Sequence, residues 1–87
     1  MYYVYILQCA DGTLYTGSTN DPQRRLKVHN SGKGAKYTRS RLPVKLVDQE
    51  EQENWSAALR REAAIKKLSR AQKKTLIAQK SADQQPK

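Results

Sequence analysis

The sequence predicts an α+β fold, a three-stranded antiparallel sheet flanked by helices, in the order β-β-α-β-α-α. Three observations carry this. Tyr2 to Leu7 is aromatic and β-branched without polar alternation, as in a strand covered on both faces in mid-sheet. Ala10-Asp11-Gly12 then reads as a turn into a hairpin partner, Thr13 to Gly17. Apolar residues recur at helical spacing after Asp21 and after Asn54.

The hairpin loop decides which side chains share a face. A two-residue Asp11-Gly12 loop makes paired residue numbers sum to about 23 and sends Tyr5 and Tyr15 to opposite faces. A three-residue loop with left-handed Gly12 makes the sum about 22 and puts both on one face. The second is the reading adopted.

Asp21 can cap a helix with Pro22 at its first position, running to about Asn30. Ser31 to Arg41 has two glycines and four basic residues, so a mobile basic loop is expected. Pro43 to Val47 reads as the third strand, with the proline at its start. The acid-rich run Asp48 to Glu53 follows as connection. Asn54 caps a helix to about Leu68. Ser69 and Gln72 fit a capping box opening a last helix to about Gln79. One domain over 1–80 is expected, with 81–87 a polar, disordered tail.

Composition narrows the function. The 87 residues hold 17 Lys and Arg against eight Asp and Glu, a net charge of +9. That excess suits a polyanion, either nucleic acid or an acidic membrane. The basic helices have no matching exposed aromatic face, which disfavours the membrane. No run approaches a membrane span, and Met1 leads into strand-like sequence rather than a signal peptide. A single cysteine, Cys9, excludes an internal disulfide and reads as a small apolar residue; a single histidine, His29, excludes a multi-histidine metal centre. A cytoplasmic setting is expected.

Polar residues at apolar positions are the most informative. Trp55, Ala58, Leu59, Glu62 and Ile65 form one helical stripe, with Glu62 about 340° around from Trp55. Glu62 is also the only acid between Asn54 and Leu68. A carboxylate on a buried stripe needs a cation: an internal arginine, or a metal at a catalytic site. Pro22, Arg25, Leu26 and His29 share a face of the first helix. Arg25 can grip a phosphate with two donors. His29 can be a satisfied structural residue or can move a proton near neutral pH. The tyrosines can serve as core bulk. Tyr37, among Lys33, Lys36, Arg39 and Arg41, can also stack on a base.

Tyr3-Val4-Tyr5, Tyr15-Thr16-Gly17, Arg25 with His29, and Glu62 on a later helix resemble the GIY-YIG nuclease domain. Within it, the chain is similar to the small single-domain YhbQ/YazA-like (UPF0213) group. The likeness runs from about residue 2 to 79, through YVYILQCADGTLYTGST, RRLKVHNSGKGAKYTR and ALRREAAIKKLSRAQK. It implies phosphodiester hydrolysis with one divalent ion, Mg²⁺ or Mn²⁺, on Glu62. Tyr5 and Tyr15 take the places of the two motif tyrosines; Arg25, His29 and Glu62 match the helix arginine, the histidine one turn later and the metal-binding glutamate. Tyr3 replaces the first motif's glycine, and no asparagine follows Asn54. Many relatives carry a DNA-recognition domain, for which these residues leave no room.

The expected function is a metal-dependent endonuclease of low sequence specificity, acting on DNA before RNA, in repair or processing. The basic loop residues Lys33, Lys36, Tyr37, Arg39 and Arg41 would hold nucleic acid, and a protein partner could supply selectivity. Tyr5 is the first choice of base, with Tyr15 orienting the water or sharing the proton; alternatively His29 hydrogen-bonds Tyr5 and takes its proton. The rival reading is a non-catalytic nucleic-acid-binding module of the same fold. A third is a basic accessory protein docked through its last helix.

Overall fold

A computed structural model describes residues 1–84. Strands β1 (Tyr2–Gln8), β2 (Leu14–Thr19) and β3 (Lys45–Gln52) form an antiparallel sheet in the order β2-β1-β3. The apolar first strand is central, as its lack of polar alternation requires. Tyr5 pairs with Gly17 and Leu7 with Tyr15, so paired numbers sum to 22. The turn closes through Cys9 and Thr13, with Gly12 at φ 85°. Tyr5 and Tyr15 therefore share a face.

Helices cover both faces. Val4 and Ile6 meet Ala58 and Ile65 of α3 (Trp55–Lys66), with Leu76 and Ile77 of α4 (Arg70–Gln84) packed alongside. On the other face Tyr5, Leu7, Cys9 and Val44 form a second cluster, joined by Tyr15 and by Leu26 of α1 (Pro22–Asn30). The caps are those the sequence predicts: Asp21 accepts from Arg24 N, and Asn54 from Ala57 N. Ser69 and Gln72 form the reciprocal box.

Three expectations are corrected. The third strand continues through the acidic run to Gln52. Backbone pairing with β1 holds it there, and Arg61 grips Glu50 with two hydrogen bonds of 2.7 and 3.0 Å, which offsets the charge that made a strand look unfavourable. The basic segment is not a free loop: Lys36–Arg39 forms a short helix, α2, and Asn30 brackets Val44 by bonding both its N–H and its C=O. Helix α4 runs to Gln84, into the segment expected as a polar tail; residues 85–87 lie outside the described residues. No described helix is long and apolar enough to cross a membrane.

Candidate active site

Tyr5, in the middle of the central strand, is 2% exposed. Its phenol lies across Gly17, where an added Cβ would stand 2.5 Å from Oη. The glycine opposite it is thus a requirement of close approach. Tyr15 comes alongside, its ring centroid 6.5 Å from that of Tyr5 and 5.3 Å from that of His29.

Helix α1 places His29 behind Tyr5, fully buried, with Nε2 3.1 Å from the Tyr5 hydroxyl oxygen. The other ring nitrogen, Nδ1, lies 2.8 Å from Thr38 Oγ1. That hydroxyl donates its one proton to the Ala35 carbonyl at 2.9 Å, so it can only accept from His29. The proton of neutral His29 therefore sits on Nδ1, and the Nε2 lone pair accepts the Tyr5 O–H. Gly34 closes over the ring; a Cβ there would stand 2.4 Å from Nδ1 and 2.9 Å from the His29 Cα.

Arg25 lies one turn before His29, its guanidinium beside the Tyr5 hydroxyl. Burial pushes the Tyr5 phenol up, against the nearby Arg25 guanidinium that pulls it down. Burial, with the Arg25 charge, holds His29 below its ordinary range. Near pH 7 both are neutral: a tyrosine with its proton and a histidine with room for one.

Glu62 approaches from the opposite face of the sheet. Helix α3 carries it past edge strand β2, where the Ser18 hydroxyl donates to Oε1. Lys66, one turn later, holds Oε2 at 2.8 Å, and that bond raises the lysine's affinity for its proton. Glu62, Arg25, Tyr5 and Tyr15 thus line one open cleft of about 680 Å³.

Among the described residues no three His, Cys, Asp or Glu side chains converge on a metal position. A lone carboxylate still fits Mg²⁺, which takes one or two carboxylates and completes its shell with water and phosphate oxygens. Each Glu62 oxygen keeps a further lone pair beyond its present partner.

The basic segment stands beside this cleft. Lys33, Lys36 and Arg39 are exposed. Tyr37 is engaged already: Tyr15 stacks with it at 6.0 Å and 25°, and the Arg41 guanidinium sits 4.0 Å over its ring. Arg41 is itself tied to Asp11 and to the Tyr37 carbonyl. The ring face under Arg41 is closed to a base, so Tyr37 buttresses Tyr15.

Sequence reasoning missed Thr38, Ser18, Lys66 and Gly34. Thr38 and Gly34 lie in the segment read as mobile, where no periodicity marks a buried hydroxyl. Lys66 carried a signal, its i, i+4 spacing from Glu62. Trp55 and Leu59, expected on the buried stripe, are instead both 44% exposed, and both line the cleft.

The model of the GIY-YIG catalytic domain matches residues 1–75. A UPF0213 protein of Halobacterium salinarum is 57% identical over 77 residues, spanning 88% of this chain and 100% of that one. A UPF0213 protein of Syntrophus aciditrophicus is 62% identical over 78 residues, spanning 88% of this chain and 90% of the relative. The solution NMR structure of a UPF0213 protein from Bacillus halodurans is 51% identical, with a TM-score of 0.60 over 92% of this chain and 86% of that one. A solution NMR structure of a protein from E. faecalis is 43% identical, with a TM-score of 0.64 over 99% of this chain and 92% of that one. The domain match and these relatives agree, and the chain is a member of the GIY-YIG domain family, in its UPF0213 group.

Proposed function

We propose that this protein is a divalent-metal-dependent endonuclease that hydrolyses nucleic-acid phosphodiesters, DNA in the first instance, with little sequence selectivity. The observation that carries the reading is the Thr38–His29–Tyr5 chain ending in the cleft that Arg25 and Glu62 also line. Family membership supports it, since the matching domain model is that of a catalytic domain.

An unperturbed tyrosine has a pKa of about 10, so roughly one in a thousand is ionised at pH 7, and burial lowers that fraction further here. A standing phenolate is therefore a poor base. Tyr5 instead passes its proton to His29 Nε2 as it takes one from water. The water oxygen bonds to phosphorus, the bond to the 3′ oxygen breaks, and that oxygen leaves with a proton from solvent. Arg25 neutralises the charge that grows on the phosphoryl oxygens. Glu62 would hold Mg²⁺ or Mn²⁺, which supplies Lewis-acid stabilisation of the phosphate and of the leaving oxygen. Water as nucleophile requires no 2′-hydroxyl, so DNA is a competent substrate.

Eight basic residues and one acid between 20 and 46, and the same again between 57 and 80, supply salt-dependent backbone attraction without sequence information. Selectivity would come from substrate structure or from a protein partner, in a cytoplasmic setting. A non-catalytic binding module is the rival, favoured by one observation: the Lys66 ammonium already occupies Oε2 of Glu62.

End-labelled single-stranded, duplex and flap DNA with Mg²⁺ or Mn²⁺ separates the two readings. Products that EDTA abolishes and that Glu62→Gln lacks support the nuclease. Salt-sensitive binding by both proteins, with no product on any substrate, supports the module. Equal cleavage by both removes Glu62 from the mechanism.

A further inference from the structure

Helix α3 seals Ala58 and Ile65 completely, yet leaves Trp55 and Leu59 of the same stripe 44% exposed. In a chain with so few apolar residues, leaving its only indole open forgoes burial that the core could use. An exposed apolar patch of this kind marks a contact surface. Trp55 is not loose: Tyr2 tilts against it with ring centroids 5.3 Å apart and planes at 59°. The pair forms one wall of the cleft that holds Tyr5, Arg25 and Glu62. Glu62 lies about two turns, roughly 10 Å, further along the same helix.

The geometry points to a stacking subsite: Trp55, backed by Tyr2, takes the face of a nucleobase from the strand whose phosphate lies near Arg25 and Glu62. This rests on the nucleic-acid reading of the cleft and adds to it a selection rule. Charge decides the occupant. An aromatic wall beside a guanidinium, on a chain of net charge +9, matches a ligand that alternates anionic groups with flat π surfaces, which is a nucleic-acid strand. Base faces inside a continuous duplex are covered by their neighbours, whereas unpaired or frayed bases present a free face. The subsite thus favours single strands, flaps and open ends over continuous duplex. Tyr37, the aromatic residue that the sequence offered for this task, has a ring face under Arg41; among the described residues no cation lies over the Trp55 ring.

Trp55 is the only tryptophan in the chain, so emission excited at the red edge reports on this position alone. The test titrates the full chain in EDTA, which prevents turnover, with a single-stranded oligothymidylate, the same strand made of abasic residues, and a hairpin duplex closed at both ends by base-free linkers. Binding is followed in parallel by anisotropy of a label on the nucleic acid. The base-bearing strand should quench Trp55 and bind about tenfold more tightly than the abasic strand. Trp55→Ala should lose that advantage, Trp55→Phe should retain most of it, and hairpin affinity should stay within about twofold in both. Anisotropic binding with unchanged Trp55 emission and equal affinity for the abasic strand overturns the subsite and leaves the nuclease reading standing. Absence of binding to every probe overturns both.

Discussion

Replacing Gly17 by alanine tests the geometry of the site with one methyl group. The backbone tolerates it, since Gly17 is not among the residues with positive φ. The new Cβ would stand 2.5 Å from Tyr5 Oη and 2.6 Å from Cζ, about 1 Å inside ordinary contact. The phenol must retreat by about that much, and its 3.1 Å bond to His29 then passes out of hydrogen-bonding range. Overpacking costs about 1–3 kcal/mol and the lost bond about 1 kcal/mol. Lower chain entropy in the unfolded state returns roughly 0.4–1 kcal/mol. The expected net loss is about 1–3.6 kcal/mol, a fall in Tm of roughly 4–8 °C per kcal/mol for a domain of this size. Cleavage should drop by about a hundredfold, the usual effect of a 1 Å misplacement. Gly32→Ala is the control: it strains a residue at φ 82° with no atom within 4 Å of the added Cβ, so it should lower Tm while sparing cleavage. Gly17→Ala with wild-type Tm and rate refutes the close approach. A lower Tm with an unchanged rate refutes the need for the Tyr5–His29 bond.

Two more outcomes follow from the buried chain behind Tyr5. Thr38→Val removes the acceptor of the His29 Nδ1–H, so imidazole ¹⁵N shifts should move away from the Nδ1-protonated tautomer and cleavage should fall about ten- to a hundredfold; Thr38→Ser should restore both, and a valine variant with unchanged tautomer and rate refutes the assignment. His29 is held below its ordinary value of 6.5, so below about pH 6.5 the unfolded chain binds a proton that the folded chain resists. Stability should therefore fall as pH drops through that window, by up to about 1.4 kcal/mol per unit, and be flat in His29's contribution above about pH 7.5. Urea melts from pH 5 to 8, with the single histidine's NMR titration, check this; a folded-state midpoint at or above 6.5 would contradict it.

The legible parts of this fold are those where local chemistry and tertiary packing agree. Gly12 in the turn fixes the hairpin register, which puts Tyr5 and Tyr15 together, and Asp21, Asn54 and Ser69 start their helices where their side chains can accept a backbone N–H. Arg25 and His29 stood out as polar residues on the face that Leu26 buries. What stayed hidden depends on partners distant in sequence. The acids of β3 look like a loop until Arg61 neutralises Glu50. Thr38 is invisible as a buried residue because its burial arises from the short helix that closes over His29. Trp55 was misread because periodicity names the face of a helix and not where the neighbouring sheet ends: beyond edge strand β2, the same stripe passes from core to cleft.

That edge also explains how residues on opposite faces of a sheet build one site. Successive strand residues point to opposite faces. Gly17 therefore opens room for the Tyr5 phenol on the α1 face, while its neighbour Ser18 reaches Glu62 on the α3 face. In the middle of a sheet a third strand would separate the two sides; at β2 nothing intervenes, and the tyrosine and the carboxylate line the same cleft. The arrangement depends on register. A slip of one residue between β1 and β2 would carry Tyr15 to the α3 face and place a side chain where Gly17 now yields to Tyr5. The turn that holds Gly12 at φ 85° is thus as much a part of the site as the groups lining it.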